Sequence, residues 1–411
     1  MIRSWMWIAL GVLSASTAMA DDWTQWRGPH RDGRSEEKGL LSKWPEGGPR
    51  LLWQANDIGG GYSTPSIANG KAYMVASIGT EQEEVIALSV NDGKQIWKQT
   101  IGKVGPNQGP QYPGSRSTPT IVGKDLYCLG SDGDLVCLNA ESGSKIWSKN
   151  LRKEFDGQAG MWAYTESPLI DGDLLICAPG GKKATVVALK RGTGELVWSC
   201  PLPDGDAASY SSPMVATIGG TKQYVLFLGK GIVGIQADRG EFLWRYNKTS
   251  DVAANIATPI IQGDMVYSAA SRVGGALIQA PGKTGEPAEI YFAKTLPSGI
   301  GGSVLVDGKL YGSSGPAMTC VEFATGKVLW QDRSIGAAAV CYADGKIYLH
   351  GENNELAMIE ASDQGYKLLG TCTPPNAPDR GNKKAWTHPV IADGKLYIRD
   401  QGSVWCYDIR G

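Results

Sequence analysis

Residues 303–330, SVLVDGKLYGSSGPAMTCVEFATGKVLW, divide into four short runs with strand character, separated by three glycine-containing breaks. Each run has the length of a β-strand, and glycine at a break supplies the positive φ that a tight hairpin requires. A single antiparallel meander of four strands cannot bury its own faces. The stretch therefore predicts a repeated unit that packs against further copies of itself.

Seven more or less complete copies of this unit occupy most of the 411 residues. An eighth copy, at residues 387–411, contains only three strands. Residues 51–53, Leu-Leu-Trp, have the character of a fourth strand with no unit in front of it. Pairing the two would close a ring and remove the exposed sheet edges. Units of about 40 to 50 residues with four strands are typical of propeller blades. The sequence thus predicts an all-β fold, an eight-bladed β-propeller of four-stranded antiparallel blades at residues 51–411, closed by an N-terminal strand.

A tryptophan recurs at the end of the fourth strand, where we expect it to pack between neighbouring blades for structural rather than chemical reasons. The residues at this position are Trp53, Trp97, Trp147, Trp198, Trp244 and Trp330.

Composition and charge exclude several classes of protein. The chain has 42% apolar residues, 55 Gly and only 20% charged residues, which is typical of a folded protein rich in turns and not of a disordered one. The formal net charge of -1 argues against strong electrostatic binding to nucleic acid or to an anionic membrane.

The first 20 residues predict a cleaved signal peptide. Arg3 precedes a short apolar stretch, and Ala18-Met19-Ala20 fits the small-x-small cleavage pattern. A transmembrane anchor is the alternative, but the stretch is short and interrupted by Ser and Thr. We therefore expect an exported protein, periplasmic or extracellular, with no transmembrane segment. Residues 21–50, rich in Trp, Pro and Gly, are expected to form a coil that packs on the propeller.

Eight cysteines are present, without the CxxC spacing of zinc or thioredoxin-like sites. In YCLGSDGDLVC a two-residue turn at Asp132-Gly133 would place Cys128 opposite Cys137 on neighbouring strands. The sequence leaves two interpretations of this pair open, a cross-strand disulfide or two buried thiols.

Residues 117–147, STPTIVGKDLYCLGSDGDLVCLNAESGSKIW, and residues 307–330, DGKLYGSSGPAMTCVEFATGKVLW, resemble the repeat of the pyrroloquinoline-quinone (PQQ) family. The resemblance covers about residues 51–411 and implies an eight-bladed ring. In the enzymatic branch of the family it implies PQQ above the central channel, with a calcium ion, an Asp base and usually an adjacent Cys-Cys disulfide. This chain has no adjacent Cys pair and is much shorter than those enzymes. In size and in its plain blades it is more similar to the BamB branch of exported assembly scaffolds.

The loops that lead into the first strand of each blade should surround the axis on one face. Their side chains could hold a planar polar ligand, bind a protein, or only pack among themselves, and units six and seven would contribute just Gly301 and Ala338. The candidate residues of this ligand face are Tyr62, Arg116, Trp162, Tyr164, Glu166, Tyr210, Asn255, Trp386 and His388.

The function predicted from these patterns is a binding or scaffolding module for protein partners on the inter-blade loop face. The long loops at residues 102–116, 155–166 and 372–386 are the preferred partner surface. We predict no catalytic residue, no metal-binding residue and no cofactor for this module. The alternative is a PQQ-dependent quinoprotein alcohol or sugar dehydrogenase, for which only Glu166 and Asn255 stand out as candidate calcium ligands at the first strands.

Overall fold

The computed structural model describes residues 22–106 and 114–411, so the predicted signal peptide lies outside the described residues. Eight sheets form a ring, seven of them built on four consecutive antiparallel strands and the eighth on three consecutive strands and β2, which confirms the predicted eight-bladed β-propeller. No helix within the described ranges is long and apolar enough to cross a membrane.

Two strands precede the first blade, and the next sixteen form blades 1 to 4. They are β1 Arg34–Ser35 and β2 Arg50–Ala55; β3 Ser66–Ala68, β4 Lys71–Ile78, β5 Gln82–Ser89 and β6 Gln95–Lys103; β7 Thr120–Val122, β8 Asp125–Leu129, β9 Asp134–Asn139 and β10 Lys145–Asn150; β11 Leu169–Asp171, β12 Leu174–Cys177, β13 Val186–Lys190 and β14 Leu196–Cys200; β15 Met214–Ile218, β16 Thr221–Leu228, β17 Gly231–Gln236 and β18 Phe242–Tyr246. One short helix, α1 Leu151–Phe155, connects blades 2 and 3.

The remaining strands form blades 5 to 8, and the last blade takes its outer strand from β2. They are β19 Ile260–Gln262, β20 Met265–Ala270, β21 Gly274–Gln279 and β22 Ala288–Ala293; β23 Ser303–Val306, β24 Lys309–Ser314, β25 Ala317–Glu322 and β26 Val328–Asp332; β27 Ala338–Ala343, β28 Lys346–Gly351, β29 Leu356–Glu360 and β30 Leu368–Cys372; β31 Val390–Ala392, β32 Lys395–Asp400 and β33 Ser403–Asp408.

The ring closes through the N-terminal strand. Strand β2 pairs antiparallel with β33, with Trp53 opposite Cys406, and completes blade 8 as its fourth strand. Residues 51–53, which have no unit in front of them in the sequence, therefore belong to the missing fourth strand of the last unit. This pairing removes two exposed sheet edges at once.

Five of the six recurring tryptophans donate to a carbonyl oxygen of the next blade, whereas Trp244 Nε1 donates to Gln223 Oε1 of its own blade. The indole Nε1 of Trp198, on the outer strand of blade 3, donates to the carbonyl oxygen of Ala237 in blade 4 at 3.2 Å. Its ring covers Gly240, where an added Cβ would lie 2.4 Å from the indole. Blade 5 has no tryptophan at this position, and there the Tyr291 hydroxyl donates to Phe323 O of blade 6 at 2.7 Å. Aromatic contacts between blades explain the repeat position mechanically.

Residues 22–35 lie within the ring, and we call them the plug. Strand β1, at the end of the plug, pairs in parallel with β27, the first strand of blade 7. The plug is also hydrogen-bonded to the first strands, or the residues just before them, in other blades, among them blades 1, 2, 3 and 6. These bonds run from Ile67 N to Trp23 O (2.9 Å), from Ile121 N to Thr24 O (2.8 Å), from Arg31 Nη2 to Ser167 O (2.8 Å) and from Arg27 Nη2 to Ser303 O. Because first strands line the axis of a propeller, these contacts place the plug across the central channel.

The register of β8 and β9 contradicts a cross-strand disulfide between Cys128 and Cys137, one of the two interpretations that the sequence leaves open. Strands β8 and β9 pair Tyr127 with Cys137 and Cys128 with Val136, so the two thiols lie on opposite faces of the blade. The turn has three residues rather than two, as the hydrogen bond from the amide of Gly130 to the carbonyl oxygen of Asp134, 2.8 Å long, shows. One extra residue in a turn shifts the register by one and moves a side chain to the other face.

Candidate functional site

One face of the ring carries both the loops that join consecutive blades and the hairpins between second and third strands, and we call it the loop face. A cavity of about 370 Å³ opens on this face, and we call it the axial cup. Its lining residues come from the plug and from blades 1 to 6 and 8. They are Trp26, Tyr62, Arg116, Trp162, Thr165, Ser167, Tyr210, Ser212, Asp251, Ala253, Ala254, Ile256, Ser271, Arg272, Ile300, Trp386 and His388.

The plug contributes one wall residue that ties the cup to the channel. The indole Nε1 of Trp26 donates to the Thr258 hydroxyl at 2.8 Å, which fixes the ring against blade 5. On its other side Trp26 meets His388 edge-on, with ring centroids 4.8 Å apart. Trp26 thus bridges blades 5 and 8 at the cup.

Aromatic side chains form a continuous wall from blade 8 to blade 4. Trp386 packs on Tyr62 with ring centroids 5.1 Å apart, and the guanidinium carbon of Arg116 lies 5.3 Å from the Tyr62 centroid. Arg116 then donates to Trp162 O at 3.3 Å, and the ring of Trp162 contacts Tyr210 at 5.6 Å. Stacked aromatic rings with an interleaved guanidinium have few rotamers to lose when a ligand binds.

The opposite wall is aliphatic and small, formed by Ala253, Ala254, Ile256 and Ile300. Two apolar side chains, which we call the lip, lie in the same loops as cup residues. Met161 is 45% exposed and directly precedes Trp162, and Val252 is fully exposed and directly precedes Ala253.

The ionisable groups of the cup are two guanidiniums, one carboxylate and one imidazole. Arg272 Nε donates to Asp251 Oδ2 at 2.7 Å, and its Nη2 donates to Oδ1, which lowers the pKa of the Asp251 carboxyl. Burial, followed by the nearby charge of Arg27, lowers the pKa of His388 to about 3, so its imidazole is neutral at physiological pH. With Arg116 as the second cation, the cup carries more positive than negative charge.

Six of the nine predicted ligand-face residues line the axial cup. They are Tyr62, Arg116, Trp162, Tyr210, Trp386 and His388.

The other three, Tyr164, Glu166 and Asn255, are buried in the protein instead. The Tyr164 hydroxyl donates to Pro179 O at 2.8 Å, and Asn255 Nδ2 donates to Leu228 O at 2.8 Å. Glu166 Oε1 accepts from the amide of Ala178 at 2.6 Å.

Tyr164 and Glu166 face away from the cup because of the local backbone conformation. Ala163 has a left-handed φ of 67°, which breaks the alternation along the loop after Trp162. Thr165 and Ser167 then face the cup, while Tyr164 and Glu166 face the blade.

Sequence reasoning missed Trp26, Asp251 and Arg272. Arg272 lies in the hairpin between β20 and β21, whereas the predicted ligand face was limited to the loops that precede first strands. Hairpins between second and third strands reach the same face as those loops. The order of the strands in each repeat is therefore enough to predict that such a hairpin can contribute to the site. Trp26 could not be placed, because its coil has no regular pattern to align with the blades.

The axial cup does not fit a calcium-bound quinone. Its single carboxylate, Asp251, has both oxygens bound by Arg272. The predicted ligands Glu166 and Asn255 are hydrogen-bonded to backbone groups outside the cup. In the part of the chain that the structure describes, no group of three or more His, Cys, Asp or Glu side chains could hold a metal ion. Calcium requires six to eight oxygen ligands, several of them carboxylate.

Calorimetric titration of the mature chain with PQQ is therefore expected to give no calcium-dependent heat, and dye reduction with alcohols or aldoses should remain at background. A quinoprotein alcohol dehydrogenase measured in parallel provides the positive control. Micromolar, calcium-dependent binding that Arg116→Ala abolishes would contradict this expectation and restore the dehydrogenase hypothesis.

Comparison with protein-family models gives one match, whereas the curated relatives include both BamB proteins and quinoprotein alcohol dehydrogenases. A family model described as outer membrane protein assembly factor BamB matches residues 81–332, more than half of the chain. BamB of Moranella endobia is 31% identical over 120 residues, which are 28% of this chain and 30% of that protein. The chain spans less than half the length of the first curated relatives that it matches.

Solved structures show the same fold in proteins of two kinds. BamB from Moraxella catarrhalis has a TM-score of 0.61 at 15% identity, covering 87% of this chain and 97% of that one. Quinohemoprotein alcohol dehydrogenase from Comamonas testosteroni has a TM-score of 0.70 at 14% identity, covering 95% and 81%. At such identities the likeness supports the propeller fold alone.

Proposed function

This chain belongs to the family described as outer membrane protein assembly factor BamB, and we propose that it is an exported module that binds protein partners on its loop face. The observation that carries the proposal is the apolar lip beside an aromatic cup. Met161 and Val252 are exposed apolar side chains in the loops that line the cup, and they supply apolar surface that a docked protein would bury. Aromatic residues and arginine at the centre of a surface are typical of protein interfaces.

The loops around the cup are held in place, which favours binding. Arg380, in the long loop at residues 372–386, pairs with buried Asp400 at 3.3 Å. In the same loop, Trp386 Nε1 donates to Glu352 Oε1 at 2.9 Å. A surface that is ordered before binding loses less entropy when the partner arrives. This supports a partner surface at the loop of residues 372–386, whereas residues 107–113 of the predicted loop 102–116 lie outside the described residues.

The partners follow from the relatives. A family model described as outer membrane protein assembly factor BamB matches more than half of the chain, so we propose partners in outer-membrane protein assembly for it. Export, with cleavage after Ala20 and release to the periplasm or the exterior, is the location that such partners require. We further propose residues 51–411 as the binding domain and residues 21–50 as the coil that packs on it.

Deletion of the gene tests the proposal. We expect the folded amounts of several outer-membrane proteins to fall at least twofold, measured by quantitative proteomics of outer-membrane fractions, and a plasmid copy to restore them. A copy carrying Met161→Asp and Val252→Asp should fail to restore them, because two charges on the lip would have to be desolvated on docking. The control copy carries Val197→Asp and Ile290→Asp, two exposed apolar residues on outer strands far from the cup.

Unchanged outer-membrane proteins in the deletion strain would overturn the proposed function. Full restoration by the lip variant would instead place the partner surface elsewhere on the propeller.

A further inference from the structure

We propose that the axial cup receives one aromatic side chain, flanked by acidic residues, from an exposed loop of a protein partner. The inference rests on the proposed function, since it names the chemistry of the partner at the same site. It is carried by the size, wall chemistry, charge and lip of the cup.

The cup is large enough for an aromatic side chain. Its volume of about 370 Å³ is near the lower limit of the 300–1,000 Å³ that pockets for drug-sized ligands occupy. The plug lies across the channel, with hydrogen bonds to at least five blades, and prevents an extended chain from threading through the ring. The occupant therefore enters and leaves by the loop face.

The two walls of the cup suit the two sides of an aromatic ring differently. Trp386, Tyr62, Trp162 and Tyr210 supply ring faces and edges on one side, where offset or edge-to-face contacts with another ring are favourable. Ala253, Ala254, Ile256 and Ile300 supply a flat aliphatic surface on the other side. These two walls favour an apolar ring over a long polar side chain, which would lose hydration against them.

The charge of the cup selects the neighbours of that ring. Arg116 and Arg272 contribute two positive charges, and Asp251 contributes one negative charge that already lies against Arg272. The Arg272 side chain is 64% exposed at the mouth, where a second carboxylate could approach it. Acidic residues beside the inserted ring are thus attracted, and basic ones are repelled.

The lip indicates a loop of a protein rather than a free aromatic acid. Val252 and Met161 lie outside the cavity and remain exposed, so a molecule that fills only the cup would leave them in water. A loop that inserts one ring buries the lip with apolar residues further along the loop, beyond the acidic neighbours of the ring. The docked surface then combines one anchor with an apolar rim, as at interfaces with a central hot spot.

Blocked tripeptides test this chemistry on the wild-type mature chain. The probes are acetyl-Glu-Phe-Glu-amide, acetyl-Lys-Phe-Lys-amide, acetyl-Glu-Ala-Glu-amide and the small acid phenylacetate, each titrated while the indole N–H resonances are followed by NMR. We expect the first peptide to bind at least tenfold more tightly than the other three. Equal affinities for the tripeptides, or no shift at millimolar peptide, would overturn the proposal, and tighter binding of phenylacetate would make the cup a small-molecule site instead.

A variant pair locates the binding. Ala254→Phe fills the cup and should weaken binding of the Glu-Phe-Glu peptide at least tenfold, whereas Ala288→Phe, on the exposed outer strand β22, should leave it unchanged. Equal affinity of the two variants would overturn the assignment to the cup. If Ala254→Phe fails to fold, the wild-type preference among the four probes still decides.

The same variant separates this inference from the proposed function. If a gene copy with Ala254→Phe restores outer-membrane proteins as fully as wild type, the cup is not the anchor site, although the function stands. If deletion of the gene has no effect, the proposed function fails, whichever probe binds.

Discussion

Replacing Trp198 by alanine is expected to lower the free energy of unfolding by about 3–5 kcal/mol, the usual cost of truncating a buried large aromatic residue. Trp198 lies at an outer strand yet is only 9% exposed, because the hairpin of blade 4 covers it. Its removal would leave the Ala237 carbonyl oxygen without its indole donor and open a void above Gly240. The seam between blades 3 and 4 would lose packing and a hydrogen bond together.

The neighbouring residue supplies the control for this prediction. Val197 is on the same strand but is 46% exposed, so Val197→Ala should cost well under 1 kcal/mol. Both variants are measured by equilibrium urea unfolding, with the midpoint and slope compared to wild type. A loss for Trp198→Ala no larger than that for Val197→Ala would contradict the view that the repeated tryptophans join the blades.

The blades could be predicted because their signals are local. Alternating apolar runs and glycine turns specify a four-stranded meander within about 40 residues. An unpaired strand at each end of the array predicts that the two ends pair and close the ring, because pairing removes the exposed sheet edges. Tyr291 shows the limit of such a pattern. Its phenol makes the contact between blades that the tryptophan makes elsewhere, a substitution that matching of letters does not reveal.

The plug and the register could not be predicted, since both depend on distant or single-residue effects. Arg27 bonds to Ser303 O, 276 positions away in the chain, and no periodicity connects the two. One additional residue in the turn between Gly130 and Asp134 separates Cys128 from Cys137. The positive φ of Ala163 decides which neighbouring side chains face the cup, and Ala gives no sign of it in the sequence.

Glu166 should make the stability of the protein depend on pH near neutrality. The carboxyl is 3% exposed, and burial raises its pKa to about 7, against the weaker opposing effects of the Ala178 amide and the Arg31 charge. A folded pKa above the unfolded value means that the native state binds the proton more tightly. The resulting stabilisation is complete below about pH 4.3, the unfolded value, and is lost as the pH rises to about 7.

The neutral isostere isolates this effect. Glu166→Gln keeps an acceptor for the Ala178 amide but cannot ionise, so the free energy of unfolding of wild type relative to the variant should fall by about 3 kcal/mol between pH 4 and pH 8. Urea unfolding at five pH values measures it, and Glu241→Gln, at an exposed position between β17 and β18, is measured beside it as the surface control. A difference that stays constant would mean that Glu166 titrates alike in both states. A difference that rises with pH would show that Arg31, whose guanidinium donates to Ser167 O and Pro168 O, stabilises the carboxylate more than burial destabilises it. The plug and blade 3 would then be joined by a buried ion pair rather than by a protonated acid beside an arginine.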